Sequence, residues 1–388
     1  IDMWDAILIQ FSDLQQFLSD SNERETEDLK REQERLRGVT ERMLLSSDPK
    51  MLKLIRRFIQ PRQITNIHKR LIGTGQIGGK AVGMLLSRAI LEQQRPDIFS
   101  SFENHDTFFI GSDVYYTFLV ENGCWWDRRR LHLCSQDTHC SDTDTTREQL
   151  QQRILHGEFP AHIRRAFADM LEYFGNAPII VRSSSLLEDN FGNAFAGKYD
   201  SFFLANQGTA EQRLQEFMSA VRKIYAGTVS HTALSYIKER GVLNQDEQMA
   251  LLVQRVSGQR RGDLFFPDIA GIGLSYNPYV WHKDMDANAG MSRLVIGLGT
   301  RAVDRTADDA ARVMAHDLPL LSPDKNQQQR LDALDLNSGQ LRTETLRHTA
   351  SLHMPACLIE RDWRREREAR RLGLGDGTHV DIDPALRD

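Results

Sequence analysis

The run Pro178-Ile179-Ile180-Val181-Arg182-Ser183-Ser184-Ser185-Leu186-Leu187-Glu188-Asp189 constrains the chain more than any other segment. Its apolar, β-branched start reads as a buried strand, and such a strand needs neighbours at its edges and cover on its faces. It then ends in an arginine, hydroxyls and two acids, groups that are costly to bury unless they meet partners. A strand end holds an arginine rigidly, and the planar guanidinium suits phosphate oxygens better than a mobile lysine. Ser183 and Ser184 can donate to phosphate, while Glu188 and Asp189 can bind magnesium or orient Arg182. Taken alone, the same residues equally suit a helix N-cap with a structural ion pair.

Further β-like runs, Thr107-Phe108-Phe109-Ile110 and Met249 to Val253, alternate with segments of helical periodicity after Pro61. That alternation implies a mixed α and β domain with ligand loops at its strand ends. Before Pro61 the text is helical, with apolar steps of three and four through Trp4, Ile7, Leu8, Phe11, Leu14 and Phe17. The charged run from Glu23 to Arg42 reads as a solvated helix face, because the sustained heptads of a coiled coil are missing. Residues 135 to 147 read as a polar surface loop or linker, and Arg361 to Arg371 as an exposed helix with i,i+4 pairs.

A chain of 388 residues can hold two or three packed units. Its net charge of −5 is spread over interspersed acids and bases, which argues against nucleic acid and an anionic membrane as partners. No apolar stretch approaches a membrane span, and the N-terminal residues lack the pattern of a signal peptide. Four cysteines do not make a disulfide scaffold, so the expectation is a soluble, cytoplasmic protein. His132, Cys134, His139 and Cys140, with Cys124 upstream, are ligand types that zinc prefers, but their spacing is irregular and a polar loop accounts for them better.

Gly73-Thr74-Gly75-Gln76-Ile77-Gly78-Gly79-Lys80-Ala81 admits three readings. Gly73, Gly75 and Gly78 have dinucleotide-fingerprint spacing, but Ile67 to Ile72 is a poor buried strand. The P-loop pattern fails, with Thr74 at its first glycine and Ala81 where a magnesium-binding hydroxyl belongs. The third reading is a lysine at the start of a helix, Ala81 to Leu91, reaching back to neutralise phosphate while the glycines keep the approach open. Asn193 to Phe202, with Gly197 and Lys198, looks like a loop able to fold over a nucleotide.

Taken in order, Gly78-Gly79-Lys80-Ala81-Val82-Gly83, Val181-Arg182-Ser183-Ser184-Ser185 with Glu188-Asp189, Phe195-Ala196-Gly197-Lys198, Leu252-Val253-Gln254-Arg255-Val256 and Gly297-Leu298-Gly299 resemble one family. It is the N-terminal nucleotide-binding domain of phosphoenolpyruvate synthase and pyruvate phosphate dikinase, over roughly residues 67 to 305. The resemblance implies an α+β, ATP-grasp-like fold in which two lobes clamp ATP, with residues 1–62 as a helical extension and 63–388 as the nucleotide-binding domain. It implies Lys80 and Arg182 on the phosphates. Gly78, Gly79, Ser183, Ser184, Glu188, Asp189, Gly197, Lys198, Gln254 and Arg255 complete the ATP site, Gln254 near the adenine. It also implies Mg²⁺ as cofactor. In the family, phosphate passes to a histidine on a separate swivelling domain and then to pyruvate in a barrel domain.

This chain departs from the pattern at Thr300-Arg301-Ala302-Val303-Asp304, where synthase-type members usually have Glu after Gly-Leu-Gly. The family's metal-binding carboxylates and Gln-x-Arg segment find no match before Asp388, and Asp381-Ile382-Asp383 lacks their β context. A C-terminally incomplete clamp, inactive alone, is therefore the expectation, with a nucleotide-sensing or protein-interaction module as the rival. Gly227-Thr228-Val229-Ser230-His231-Thr232-Ala233 looks like the family's phosphohistidine segment, but its place inside a helical pattern makes His231 an ordinary helix residue.

Overall fold

The structure, a computed structural model, describes residues 3–20, 26–103, 106–134, 143–186, 199–239, 247–303, 311–319 and 328–346. The chain divides into two compact units, residues 1–256 and 257–388. Among the described residues no helix is long and apolar enough to cross a membrane.

The first unit is built on a five-stranded sheet of order β1-β2-β5-β3-β4. Its strands are β1 (Leu71–Ile72), β2 (Thr107–Ile110), β3 (Ile179–Ser185), β4 (Ser201–Leu204) and β5 (Met249–Arg255). β1 runs parallel to β2, and the other pairings are antiparallel, with β5 at the centre between β2 and β3. Helices α1 (Met3–Asp20), α2 (Glu27–Leu44), α3 (Pro49–Phe58), α4 (Pro61–His68), α5 (Gly79–Gln94) and α6 (Pro96–Phe99) come first in the chain. After β2 follow α7 (Ser112–Glu121), α8 (Trp125–Cys134), α9 (Thr143–Leu155), α10 (Ala161–Phe174), α11 (Ala210–Gly227) and α12 (His231–Glu239).

Alternation of side chains along the strands divides the core in two. Met249, Leu251 and Val253 join Ile179 and Val181 in a cluster with Phe118, Phe167, Phe217 and Tyr225 of the later helices. Leu252 and Phe109 turn the other way, to a cluster with Ala81, Val82 and Leu86 of α5 and Leu8, Leu36, Leu44 and Ile55 of the N-terminal helices. A central strand thus reads as a continuous apolar run because both of its faces are covered.

The N-terminal helices begin where the sequence supplies caps. Thr26 accepts from the N–H of Leu29 at α2, and Asp48 accepts from Met51 at α3, with Pro49 in its first turn. Leu8 and Phe11 of the expected α1 stripe are buried, whereas Trp4 and Phe17 remain exposed. The charged run is not uniformly solvated. Glu41 is fully buried and accepts from Arg37 Nε at 2.7 Å and Arg56 Nε at 3.1 Å, so its charge is offset inside the packed helices. Residues 143–147, expected as loop, open α9, which is anchored by the buried i,i+4 pair Leu150 and Ile154.

The second unit contains a three-stranded sheet, β10-β9-β8, and a four-stranded sheet, β12-β11-β7-β6. The strands are β6 (Gln259–Arg261), β7 (Leu264–Phe266), β8 (Ala270–Leu274), β9 (Met291–Val295), β10 (Arg312–Ala315), β11 (Arg330–Asp335) and β12 (Leu341–Thr345), with the short helix α13 (Thr300–Val303) after β9. All their pairings are antiparallel.

The β11–β12 turn is organised by Asp335, whose carboxylate accepts from the N–H groups of Asn337 and Ser338 and from Arg342 Nη1 at 2.9 Å. The Ser338 N–H, then Arg342 and the Asn337 N–H, hold this carboxyl down to about 2. A group depressed on folding adds stability above its ordinary value and loses it as pH falls through the folded value. The turn should therefore loosen only as pH approaches 2. An NMR titration of the Asp335 carboxyl checks this: a midpoint at the ordinary 3.8 would show that these donors do not hold it.

Candidate nucleotide site at the serine strand and helix α5

Ser183, Ser184 and Ser185 are all fully buried at the end of β3, which would be costly if their hydroxyls lacked partners. Each has one. Lys80 Nζ donates to Ser183 Oγ at 2.9 Å. Ser184 Oγ donates to the carbonyl of Ile77 at 2.8 Å and accepts from the N–H of Ala81 at 3.1 Å. Ser185 Oγ donates to Glu247 Oε1. The first two serines thus close on the start of α5, which begins at Gly79, two residues before the expected Ala81.

Helix α5 has no cap of its own, because its N-cap residue is Gly78. Ser184 supplies the missing acceptor from across the chain, satisfying one of the orphan N–H groups of the first turn. Gly78 has φ +81°, and a Cβ there would lie 1.5 Å from the carbonyl oxygen of Ser184. Only glycine permits that approach.

The other glycines serve a residue that the sequence reading missed. Asp113, in the first turn of α7, accepts from the N–H of Thr74 at 3.0 Å and of Gly75 at 2.8 Å. A Cβ at Gly73 or Gly111 would strike its carboxylate. These two loop N–H groups are therefore spent on a protein carboxylate rather than turned to a ligand. The loop is tied on its other side to α2, where Ile77 donates to the carbonyl of Leu44 and Gln76 Nε2 to that of Arg42.

Arg182 is half-buried and makes no side-chain hydrogen bond or ion pair among the described residues. The register pairs Arg182 with Leu252 and Ile180 with Gln254, so Arg182 and Gln254 share the sheet face on which α5 packs. Ser183 pairs with Leu251, which leaves Gln254 roughly 10 Å further along the strand. There Gln254 Nε2 meets Met84 Sδ at 3.3 Å and Thr107 Oγ1 at 3.4 Å. Arg255 is drawn instead to carboxylates, donating to Glu103 at 3.0 Å with Asp106 at 3.8 Å.

Gly78, Gly79, Lys80, Ser183 and Ser184 are therefore brought together, Arg182 adjoins them, and Gln254 and Arg255 stand apart. Glu188, Asp189, Gly197 and Lys198 lie outside the described residues, as do His139, Cys140, Arg361 to Arg371 and Asp381 to Asp383. A cleft of about 1030 Å³, lined among others by Arg70, Met84, Arg88, Phe99, Thr107 and Phe109, opens beside Gln254 and does not include Lys80 or Arg182. Cys124 is buried, which pushes its thiol up, and its Sγ donates to the carbonyl of Asn122. His231 opens α12 on an exposed position.

In the second unit, the departure after Gly297-Leu298-Gly299 has a structural role. Thr300 Oγ1 donates to Asp332 Oδ2 at 2.7 Å and Arg301 Nε to Oδ1 at 2.9 Å, with Thr343 Oγ1 on the same oxygen. Burial pushes the Asp332 carboxyl up, but these hydrogen bonds together hold it below its ordinary value.

Residues 74–358 match the family model described as pyruvate phosphate dikinase, AMP/ATP-binding domain. None of the curated proteins matches the chain. The matched segment opens inside the glycine loop and takes in the serine strand, Gln254 and Gly297 to Gly299. The chain belongs to the family of the pyruvate phosphate dikinase AMP/ATP-binding domain, an ATP-binding α+β module.

Proposed function

We propose that this chain binds Mg-ATP with Lys80 and Arg182 on the phosphates, and that a phosphoryl group then passes to a histidine on a separate domain. The observation that carries the reading is the 2.9 Å bond from Lys80 to Ser183, which draws two motifs 103 residues apart to one point at a helix N-terminus. A cation, a helix end and a rigid arginine are a donor set suited to polyphosphate. Phosphoryl transfer asks the protein chiefly for positioning and charge neutralisation. Lys80 and Arg182 offset charge on the transferring oxygens, Gly79 keeps the approach open while Gly78 seats the Ser184 carbonyl against the start of α5, and Gln254 faces the adenine end.

Mg²⁺ would supply further neutralisation, and Glu188 and Asp189 are carboxylates suited either to bind it or to orient Arg182. The final acceptor would be a pyruvate-type substrate on a barrel domain, within a longer protein or in trans. Residues 1–62 form a helical extension to the nucleotide-binding domain of 63–388. The four cysteines and the ATP requirement support a cytoplasmic setting.

The rival is a nucleotide-sensing or protein-interaction module, and it is favoured by Thr300 and Arg301, which stand where synthase-type members have Glu and are committed to hydrogen bonds with Asp332. Incubation with ATP labelled in its terminal phosphates, Mg²⁺ and the candidate histidine domain separates the two. Label on the histidine supports transfer. Saturable ATP binding with no label moved supports sensing.

A further inference from the structure

Glu247 plays no part in the scheme above, yet it is a buried acid, 2% exposed, beside the proposed phosphate anchor. A carboxyl in that position is tolerated only where hydrogen bonds replace water. Its two oxygens are divided between two elements. Ser185, the last residue of β3, donates to Oε1, and Tyr199, two residues before β4, donates to Oε2 at 2.9 Å.

The main chain of Glu247 is held as firmly. Arg128 Nη2 donates to its carbonyl at 2.7 Å, and the Arg128 guanidinium, 6% exposed, lies over the rings of Tyr115 and Trp125. The next residue continues the connection. Leu186 donates its N–H to the carbonyl of Gln248, and Ser112 Oγ donates to Gln248 Oε1 at 3.3 Å. Ser112 is followed by Asp113, which holds the glycine loop through Thr74 and Gly75. Residues 247 and 248 are thus joined to the serine strand on one side and, through α7, to the loop that carries Lys80 on the other.

We propose that Glu247 is a positioning residue for the phosphate end of the nucleotide site, acting through Ser185 and Tyr199 to set the end of β3 against the start of α5. The inference rests on the ATP reading of that site. Glu247 touches no phosphate itself; it fixes where Ser183 and Arg182 stand. A loss of its anchors therefore weakens the hold on phosphate and leaves the nucleoside end, three strand positions away at Gln254, as it was.

The test uses the whole chain and compares Tyr199→Phe and Glu247→Ala with wild type for ATP and for adenosine, by calorimetry or competition, with Tm measured alongside. Tyr199→Phe removes one hydroxyl and should weaken ATP about fivefold, the worth of one net hydrogen bond. Glu247→Ala, which loses both anchors, should weaken it by more than about tenfold. Adenosine affinity should not change in either variant. Should Glu247→Ala not fold, Tyr199→Phe alone decides. Unchanged ATP affinity in Tyr199→Phe overturns the proposal, as does equal weakening of ATP and adenosine, which would mark a general loss of structure. A wild-type chain that binds adenosine but gains nothing from the phosphates overturns the underlying reading instead, and that result is visible before any variant is made.

Discussion

Lys80→Ala and Arg182→Ala should each weaken ATP binding by roughly 10- to 100-fold, the worth of a charge-assisted hydrogen bond in a partly dry site. Neither change should unfold the protein. Lys80→Ala removes a donor from the buried Ser183 hydroxyl, at about 0.5–1.5 kcal/mol and so too little to unfold the chain, and Arg182 makes no side-chain hydrogen bond or ion pair among the described residues. The two should differ in what rescues them. Arginine at position 80 retains the charge, whereas lysine at position 182 gives up the planar fork that a rigid strand holds in place, and should recover less. Calorimetric titration of ATP into the wild type and each variant measures this. Affinity unchanged in both alanine variants would sink the assignment of these cations to the phosphates.

The parts of this site that the sequence exposes are those where local pattern and tertiary structure agree. Ile179 and Val181 alternate into the core as a strand should, and the polar residues that follow stand at its end. Gly78-Gly79-Lys80 opens a helix because a glycine at positive φ both ends the loop and admits the neighbouring strand. What stays hidden depends on partners distant in sequence. Asp113 closes on amides 38 and 39 residues away, and nothing in its own neighbourhood reports that.

Glu41 looks like one acid among many on a charged helix, and its burial is legible only once Arg56, 15 residues on, is seen to join Arg37 on its carboxylate. Glu247 likewise needs Ser185 and Tyr199 to be legible. The polar stretch before α9 misleads for the opposite reason. Its first turn is made of Thr, Asp and Arg, so composition resembles a loop, while Leu150 and Ile154 further along provide the packing that makes a helix.

Gly78→Ala should be the most damaging single methyl that can be added to the site. The new Cβ would lie 1.5 Å from the carbonyl oxygen of Ser184, far inside any contact distance, so backbone has to move. Ser184 cannot yield easily. Its hydroxyl is bound to Ile77 and Ala81, and its strand is paired with Ala250 in the central ladder. The loop cannot yield either, because Ile77 is fully buried and donates to Leu44 of α2. To this is added the cost of a side chain at φ +81°, ψ +170°, a region open essentially only to glycine, about 1–3 kcal/mol. Together the strain and the clash should destabilise the first unit by about 3–5 kcal/mol, at the top of the range for point substitutions. Whatever protein remains folded should bind ATP poorly, since α5 and Lys80 are the elements displaced.

Gly83→Ala is the control. It lies in the same helix, an added Cβ meets nothing within 4 Å, and its φ is ordinary, so the substitution should stabilise by roughly 0.5–1 kcal/mol. Urea denaturation of the two variants reads the contrast directly. If both glycines tolerate alanine equally, Gly78 is not pressed against the serine strand, and the coupling between the two nucleotide motifs fails with it.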